Sequence, residues 1–355
     1  VPVSFSAPQK RLDDEAVRRR LEARLGPPMR AAAPKAEPGK LSPQQVNAAI
    51  DAWLLANGAL VKVLDAGMPH GIIRAFQNRA YDVARAVPAV YLRNEDYGRA
   101  VRLLESGEKV EMEFEIVNRT HPGRTTWNVL ADIPGSEKPE EVVLIGAHLD
   151  SWHAATGATD NATGVAVMME AVRILKALGL RPRRTIRIAL WSAEEQGLLG
   201  SKYHVRANYG TFEEPKPAFS RLVAYLNLDS GTGRIRGAGV FGPEQAAAVV
   251  RAALEPFRDL GVAGAAASSS RRQGGTDSTS FSSAGLPAIG FFQDPIEYFA
   301  QTWHTNLDTW ERAVPDDLKQ AAAVAWHLAG REQMLPRFSP EQMPPPPAAT
   351  PPVTQ

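Results

Sequence analysis

The feature that most constrains this chain is a series of near-continuous apolar runs, 142–147 (VVLIGA), 186–191, 222–228 and 286–292, separated by stretches of helical spacing such as 165–178. A strand with one face in water alternates apolar and polar residues, whereas a run that is apolar throughout buries both faces. Strands of that kind with helices between them specify an α/β architecture: a mixed, mostly parallel central sheet flanked by helices. A closing helix is expected at 316–333.

Ahead of residue 123 the pattern differs. Residues 11–25 carry helical spacing that Gly26-Pro27-Pro28 stops, and a Pro/Ala/Lys-rich loop runs over 27–39. Ser42-Pro43-Gln44-Gln45 combines an N-cap serine, a proline at the first helical position and a glutamine three residues on, which predicts a helix to about Asn57. KVEMEFEIV at 109–117 alternates strictly and predicts a half-exposed antiparallel strand. Eight of the last twenty residues are proline, which predicts an extended, unpacked tail. The expected divisions are a segment 1–40 of unassigned fold, a module at 41–122, the α/β domain at 123–335 and the tail at 336–355.

Composition removes several classes of function. Forty basic against thirty-nine acidic side chains leave a net charge of +1, which argues against a nucleic-acid partner. No apolar run approaches the roughly 18 residues of a membrane span, so membrane insertion is not expected. Cysteine is absent, which excludes disulfides, thiolate nucleophiles and cysteine metal sites. Any bound metal must rest on His, Asp and Glu. No G-x-S-x-G motif supplies a nucleophilic serine. The chain begins with Val1 rather than Met, which fits a processed protein with a secretion signal removed.

Of five clusters of such residues, four lie at or just beyond the ends of the apolar runs, where an open α/β sheet places its ligands. His148-Leu149-Asp150 follows VVLIGA; side chains two apart on extended backbone face the same way, so Asp150 can orient one nitrogen of His148 while the other binds a metal. Asp160-Asn161 precedes a helix, where a plain N-cap is the alternative reading. Glu194-Glu195 follows TIRIALWSA; one carboxylate can ligate a metal and the other move a proton, although an acidic first helical turn also suits the dipole. Asp229 ends LVAYLNLD, and His304 lies in the loop after LPAIGFF. Two histidines and three carboxylates suit a pair of Zn²⁺ ions with a bridging carboxylate and a bridging water, and Co²⁺ or Mn²⁺ fits similar ligands.

The segments VVLIGAHLDSW, GATDNATG, WSAEEQGLLGS, YLNLDSG and TWHTNLDT, in this order, resemble the M28 family of zinc metallopeptidases, particularly its carboxypeptidase Q-like (plasma glutamate carboxypeptidase) branch. The resemblance covers about 128–338. More loosely, 59–116 resembles part of a protease-associated domain. It implies a zinc aminopeptidase (phosphorylase/hydrolase-like) fold with a smaller, β-rich protease-associated-like module. It further implies that His148 and Asp229 bind one zinc, Glu195 and His304 the other, that Asp160 bridges both, and that Glu194 is the general base acting on a metal-bridged water. In the family the bond after the bridging aspartate is cis, and the resemblance gives Asp308 a part in fixing the His304 loop.

The implied activity is that of a co-catalytic di-zinc exopeptidase cleaving N-terminal bonds of peptides or dipeptides. The alternatives are a strict dipeptidase of the carboxypeptidase Q type, a single-zinc glutaminyl-cyclase-like enzyme and an inactive receptor or binding module. Asp277, in the loop 274–278, aligns with a family loop near the site, where it shapes the substrate pocket or supports the loop; Asp294 is a candidate for a substrate ammonium and Tyr298 for a developing oxyanion, against the alternative of an ordinary surface loop. Two positions depart from close relatives: His153, often Asp there, and Trp303, often His. His70, His121, His204 and His327 have no ligand context and read as surface or helix-face residues. The family implies a secreted or periplasmic protein and is compatible with a homodimer.

Overall fold

The computed structural model describes residues 11–22, 41–74 and 85–347, apart from 120, 122, 124 and 332. In chain order the elements are α1 (Asp14–Glu22), α2 (Pro43–Ala56), β1 (Lys62–Asp65), β2 (Ala89–Leu92), α3 (Asn94–Glu105), β3 (Val129–Ile133), β4 (Lys138–His148), α4 (Thr163–Ala177), β5 (Arg184–Trp191) and α5 (Leu199–Asn208). They continue with β6 (Leu222–Asn227), β7 (Ile235–Phe241), α6 (Glu244–Leu254), β8 (Ala265–Ser268), α7 (Ser278–Ser283), β9 (Ala288–Gln293) and α8 (Pro315–Ala329).

Seven strands form one sheet in the order β3-β5-β4-β6-β9-β7-β8. The pairs β5/β4, β4/β6, β6/β9 and β7/β8 are parallel, while β3 runs antiparallel to β5 and β7 to β9. This is the mixed, mostly parallel sheet that the apolar runs predict. Strand side chains alternate between two helical layers. Val143, Ile145 and Ala147 of β4 and Ile186, Ile188 and Leu190 of β5 face α4, α6 and α8. Leu144, Ala189, Trp191 and Tyr225 face the opposite layer with Val205, Tyr209 and Phe281. Each layer buries one sheet face, which is why the runs are apolar throughout.

The capping box before α2 forms as expected: Ser42 Oγ accepts from Gln45 N at 3.2 Å, and Ser42 N donates to Gln45 Oε1 at 2.8 Å. The described part of 41–122 holds α2, α3 and one two-stranded parallel ladder of β1 and β2, more helix than strand. No described helix is long and apolar enough to cross a membrane.

Three expectations need correction. Residues 109–117 form no strand: the alternation names a face but supplies no neighbour, and Met112 and Ile116 stay exposed. The described part of the proline-rich tail is irregular but packed. Arg337 donates to Leu222 O, Phe338 meets Phe241 edge-on at 5.4 Å, and Met343 joins the second core. His204 is buried in α5, 5% exposed, with its ring 5.1 Å from that of Trp191.

Burial, and secondarily the charge of Arg187, lowers the His204 pKa from 6.5 to about 4, so the folded protein carries this imidazole neutral. Between those values the unfolded chain binds the extra proton, and stability falls as pH drops through that window. We expect His204→Leu to remove roughly 2–3 kcal/mol of the stability lost between pH 7 and pH 4. Denaturant unfolding of both proteins in chelator at the two pH values measures the difference; identical losses would show that His204 does not carry it.

Candidate metal centre

Parallel neighbours β5, β4 and β6 end side by side and deliver Glu194 and Glu195, His148, and Asp229 to one edge of the sheet. Asp160 arrives from the loop before α4 and His304 from the loop after β9. All six residues expected as ligands or base are brought together.

Asp160 sits between the histidines. His148 Nε2 lies 3.2 Å from Asp160 Oδ1 and 3.4 Å from Asp229 Oδ1. His304 Nε2 lies 3.1 Å from Asp160 Oδ2 and 3.1 Å from Glu195 Oε2. Two potential ligand triads, His148/Asp160/Asp229 and Asp160/Glu195/His304, therefore share one aspartate, each with its ligand atoms within 4.8 Å of one another. Glu194 joins His148 and Glu195 in a third such group.

The surroundings aim these groups. His148 Nδ1 lies 2.8 Å from the main-chain oxygen of Asp150, an acceptor that holds its hydrogen and leaves the Nε2 lone pair facing the carboxylates. The expected orienting carboxylate of Asp150 is 3.7 Å from Nδ1. It accepts instead from Glu194 N at 3.0 Å and Glu195 N at 3.2 Å, because the β5 loop turns its amides toward it. Trp152 Nε1 donates to Glu195 Oε2 at 2.6 Å, a contact no sequence motif announces. Asp308 accepts from Thr159 N at 2.5 Å and Asp160 N at 3.1 Å, tying the His304 loop to the Asp160 loop. Trp303 packs on the His304 ring, centroids 4.1 Å apart.

The backbone is unusual at the same points. Ala193 and His304 have φ of 54° and 60°, a region disfavoured for side-chain-bearing residues and tolerated where the surroundings fix it. The Asp160–Asn161 peptide bond is cis, as the resemblance implies. Segment 72–74 of the preceding module docks on the His304 loop: Ile73 N donates to Asn306 Oδ1 at 2.8 Å, and Arg74 Nε donates to Trp303 O at 3.2 Å.

Electrostatics follow from packing. Burial depresses the His148 pKa, but Asp229, Asp150 and Asp160 outweigh it and raise the value well above 6.5. His304 is raised by Asp160 and Glu195 against its own burial. Asp160 is lowered, its burial outweighed by the two imidazoles. Glu194 rises well above its ordinary value, first through burial and then through Asp229, Asp277 and Glu195, with His148 opposing. His148 Nε2, Asp160 Oδ2 and Glu195 Oε1 are buried without a hydrogen-bond partner. Acceptors that converge in this way suit a cation, and the His/Asp/Glu donor set fits zinc-type coordination.

The three candidate substrate residues fare differently. Asp277 is fully buried, and burial pushes its carboxyl up to about 7, with Asp229 and Asp150 adding to the rise and His148 opposing it. It has no exposed surface. Asp294 is also fully buried and accepts salt bridges from Arg236 at 2.9 Å, Arg11 at 3.1 Å and Arg234 at 3.3 Å, so its charge is already matched. Tyr298 stays beside the centre: burial raises its phenol pKa well above 10, with Asp160, Asp229 and Glu195 adding to it.

A profile of peptidase family M28 matches residues 128–329. Carboxypeptidase Q of Mus musculus is 33% identical over 273 residues, covering 76% of this chain and 55% of the relative. Carboxypeptidase Q of Homo sapiens is 31% identical over the same share of this chain and 54% of its own. The chain thus spans about half the length of these curated relatives. Among solved structures, an M28 peptidase precursor from Shewanella amazonensis SB2B superposes with a TM-score of 0.62 at 28% identity, over 84% of this chain and 67% of that one. A zinc aminopeptidase from Bacillus subtilis shares the fold at a TM-score of 0.50 and 23% identity, over 70% and 59%.

Asp308→Ala strips the acceptor from two loop amides. We expect about 1–3 kcal/mol of lost stability and a 10- to 100-fold weaker affinity for added Zn²⁺. Chelator competition checks the second figure; unchanged affinity would show that Asp160 is held without Asp308.

Proposed function

The chain belongs to peptidase family M28, and we infer that it is a di-zinc exopeptidase acting on peptides or dipeptides with a free amino terminus. The observation that carries this is Asp160, whose two oxygens face two different His/carboxylate pairs. In this reading His148 and Asp229 hold one ion, Glu195 and His304 the other, and Asp160 both. A single-zinc centre of the glutaminyl-cyclase type would leave one of these pairs without a role, and a binding protein that had lost the chemistry would not need all six residues.

A metal pair bound there supplies Lewis acidity toward the scissile carbonyl and a water of lowered pKa. The remaining steps belong to side chains. A Glu194 carboxylate oxygen takes the proton of the attacking water and returns it to the leaving amine. Asp150 holds the amides of Glu194 and Glu195 and so sets where both carboxylates point. Its main-chain oxygen keeps the hydrogen of His148 on Nδ1. Trp152 fixes one oxygen of Glu195. Tyr298, buried beside Asp160, would donate to the oxyanion.

The expected result is two metals per chain by mass spectrometry, with hydrolysis of a leucyl anilide and a dipeptide panel abolished by chelation and restored by Zn²⁺. The ratio of anilide to dipeptide rates places the enzyme on the aminopeptidase or the strict dipeptidase side. Glu194→Gln should keep both metals and lose roughly 10²-fold or more of kcat. No metal and no turnover after zinc is added back would overturn the reading; full kcat in Glu194→Gln would overturn the role of that residue.

A further inference from the structure

Helix α1 lies against β7 and β8, with Leu12 and Val17 buried on Ala266 and Phe292. Beside it several arginines gather on one buried carboxylate. Asp294 takes Arg236, Arg11 and Arg234, and Arg11 also binds Asp317 at 2.9 Å. The fourth arginine of this cluster, Arg20, has no hydrogen-bond or ion-pair partner among the described residues. Its guanidinium stands 5.9 Å from the centroid of the Phe292 ring. Burial lowers its pKa from the ordinary arginine value, with the Asp294 charge opposing.

Arg20 lines a cleft whose walls include Asp229 and Asn227 at the metal centre, and Gln273, Gln293 and Phe299. Gln273 and Gln293 are 3% and 2% exposed, and the Oε1 atom of each is buried without a hydrogen-bond partner. The cleft thus lies between the end of β6 that carries Asp229 and a part-buried guanidinium without a hydrogen-bond or ion-pair partner among the described residues. A guanidinium in such a setting binds a carboxylate in a bidentate manner and gains more than it would on an open surface.

The geometry points to Arg20 as a specificity residue that binds a carboxylate of the substrate, contributed by a helix outside the M28-matched segment. The inference rests on the exopeptidase reading and narrows its substrate class to peptides bearing a carboxylate within reach of the cleft. That group is either the carboxyl terminus of a dipeptide or the side chain of an acidic residue. A neutral or cationic group at the same place would leave the guanidinium desolvated and unpaired, which disfavours such substrates.

The test uses the full zinc-loaded chain, Arg20→Met and Arg20→Lys, and two substrate pairs: Leu-Gly against Leu-Gly-amide, and Glu-Gly-amide against Gln-Gly-amide. We expect the acid-to-neutral ratio of kcat/KM in one pair to fall roughly 10-fold or more in Arg20→Met, mainly through KM, and to recover in part in Arg20→Lys. A fall in the first pair assigns the chain terminus, and a fall in the second assigns the side chain. Unchanged ratios, or an equal fall for all four substrates with a lowered Tm, would overturn the inference and leave Arg20 a packing residue on Phe292. Should the parent hydrolyse none of the four, the exopeptidase reading fails, and calorimetric titration with the same compounds decides for Arg20. Tighter binding of an acid than of its amide, lost in Arg20→Met, supports it; equal binding overturns it.

Discussion

Asp160, Glu194, Glu195 and Asp229 cluster at one end of a parallel sheet, and such a cluster is costly unless positive charge stands among them. Asp160 is where this happens. One of its oxygens faces His148 and the other His304, so a single carboxylate belongs to two coordination groups at once. In the protein alone, proton uptake by the imidazoles offsets the carboxylate charge, which is why both histidines are raised and Asp160 is lowered. On the di-zinc reading, a divalent cation in each group would do the same with more charge and with directional bonds.

The sheet accounts for only part of that geometry. Strand order puts His148, Glu194, Glu195 and Asp229 near one another, but their directions depend on loops bound to other loops. Asp150 holds the amides after β5, Asp308 holds those before α4, and Asn161 Nδ2 donates to Leu228 O at 3.0 Å. Segment 72–74 grips the loop that carries His304. Each link joins two segments that bring a candidate ligand or its neighbour, so the loops around the centre are tied to one another. Left-handed backbone at Ala193 and His304 is consistent with ligand direction overriding local conformational preference.

What was legible in the sequence divides along physical lines. Strands β4, β5, β6 and β9 were readable because burial on both faces leaves a local, unbroken apolar run, and the candidate ligands His148, Glu195, Asp229 and His304 because they end or follow those runs. The cap at Ser42 was readable because both partners lie within four residues. Strands β7 and β8 were not, since IRGAGVF and AAAS are too small and glycine-rich to read as buried runs. The alternation at 109–117 misled because pairing depends on a partner that periodicity cannot name. The proline tail misled because its composition says nothing of Arg337 and Phe338, which find their contacts on segments more than ninety residues away in the chain.

Asp294 shows the same limit in a functional setting. An acidic residue in the loop directly after β9 looked suited to a substrate ammonium, yet three arginines surround it, one of them on the N-terminal segment 283 residues away. That long-range pairing also explains why α1 sits where it does: Arg11 and Leu12 N both bind Asp294, and Arg236 reaches Leu12 O at 2.8 Å. The helix is thereby pinned as a wall of the cleft that leads to Asp229. Arg20 of the helix lies beside this cluster, in which Arg11, Arg234 and Arg236 gather on the buried Asp294. If Arg20 binds a substrate carboxylate, specificity comes from a segment outside the one that carries the metal centre.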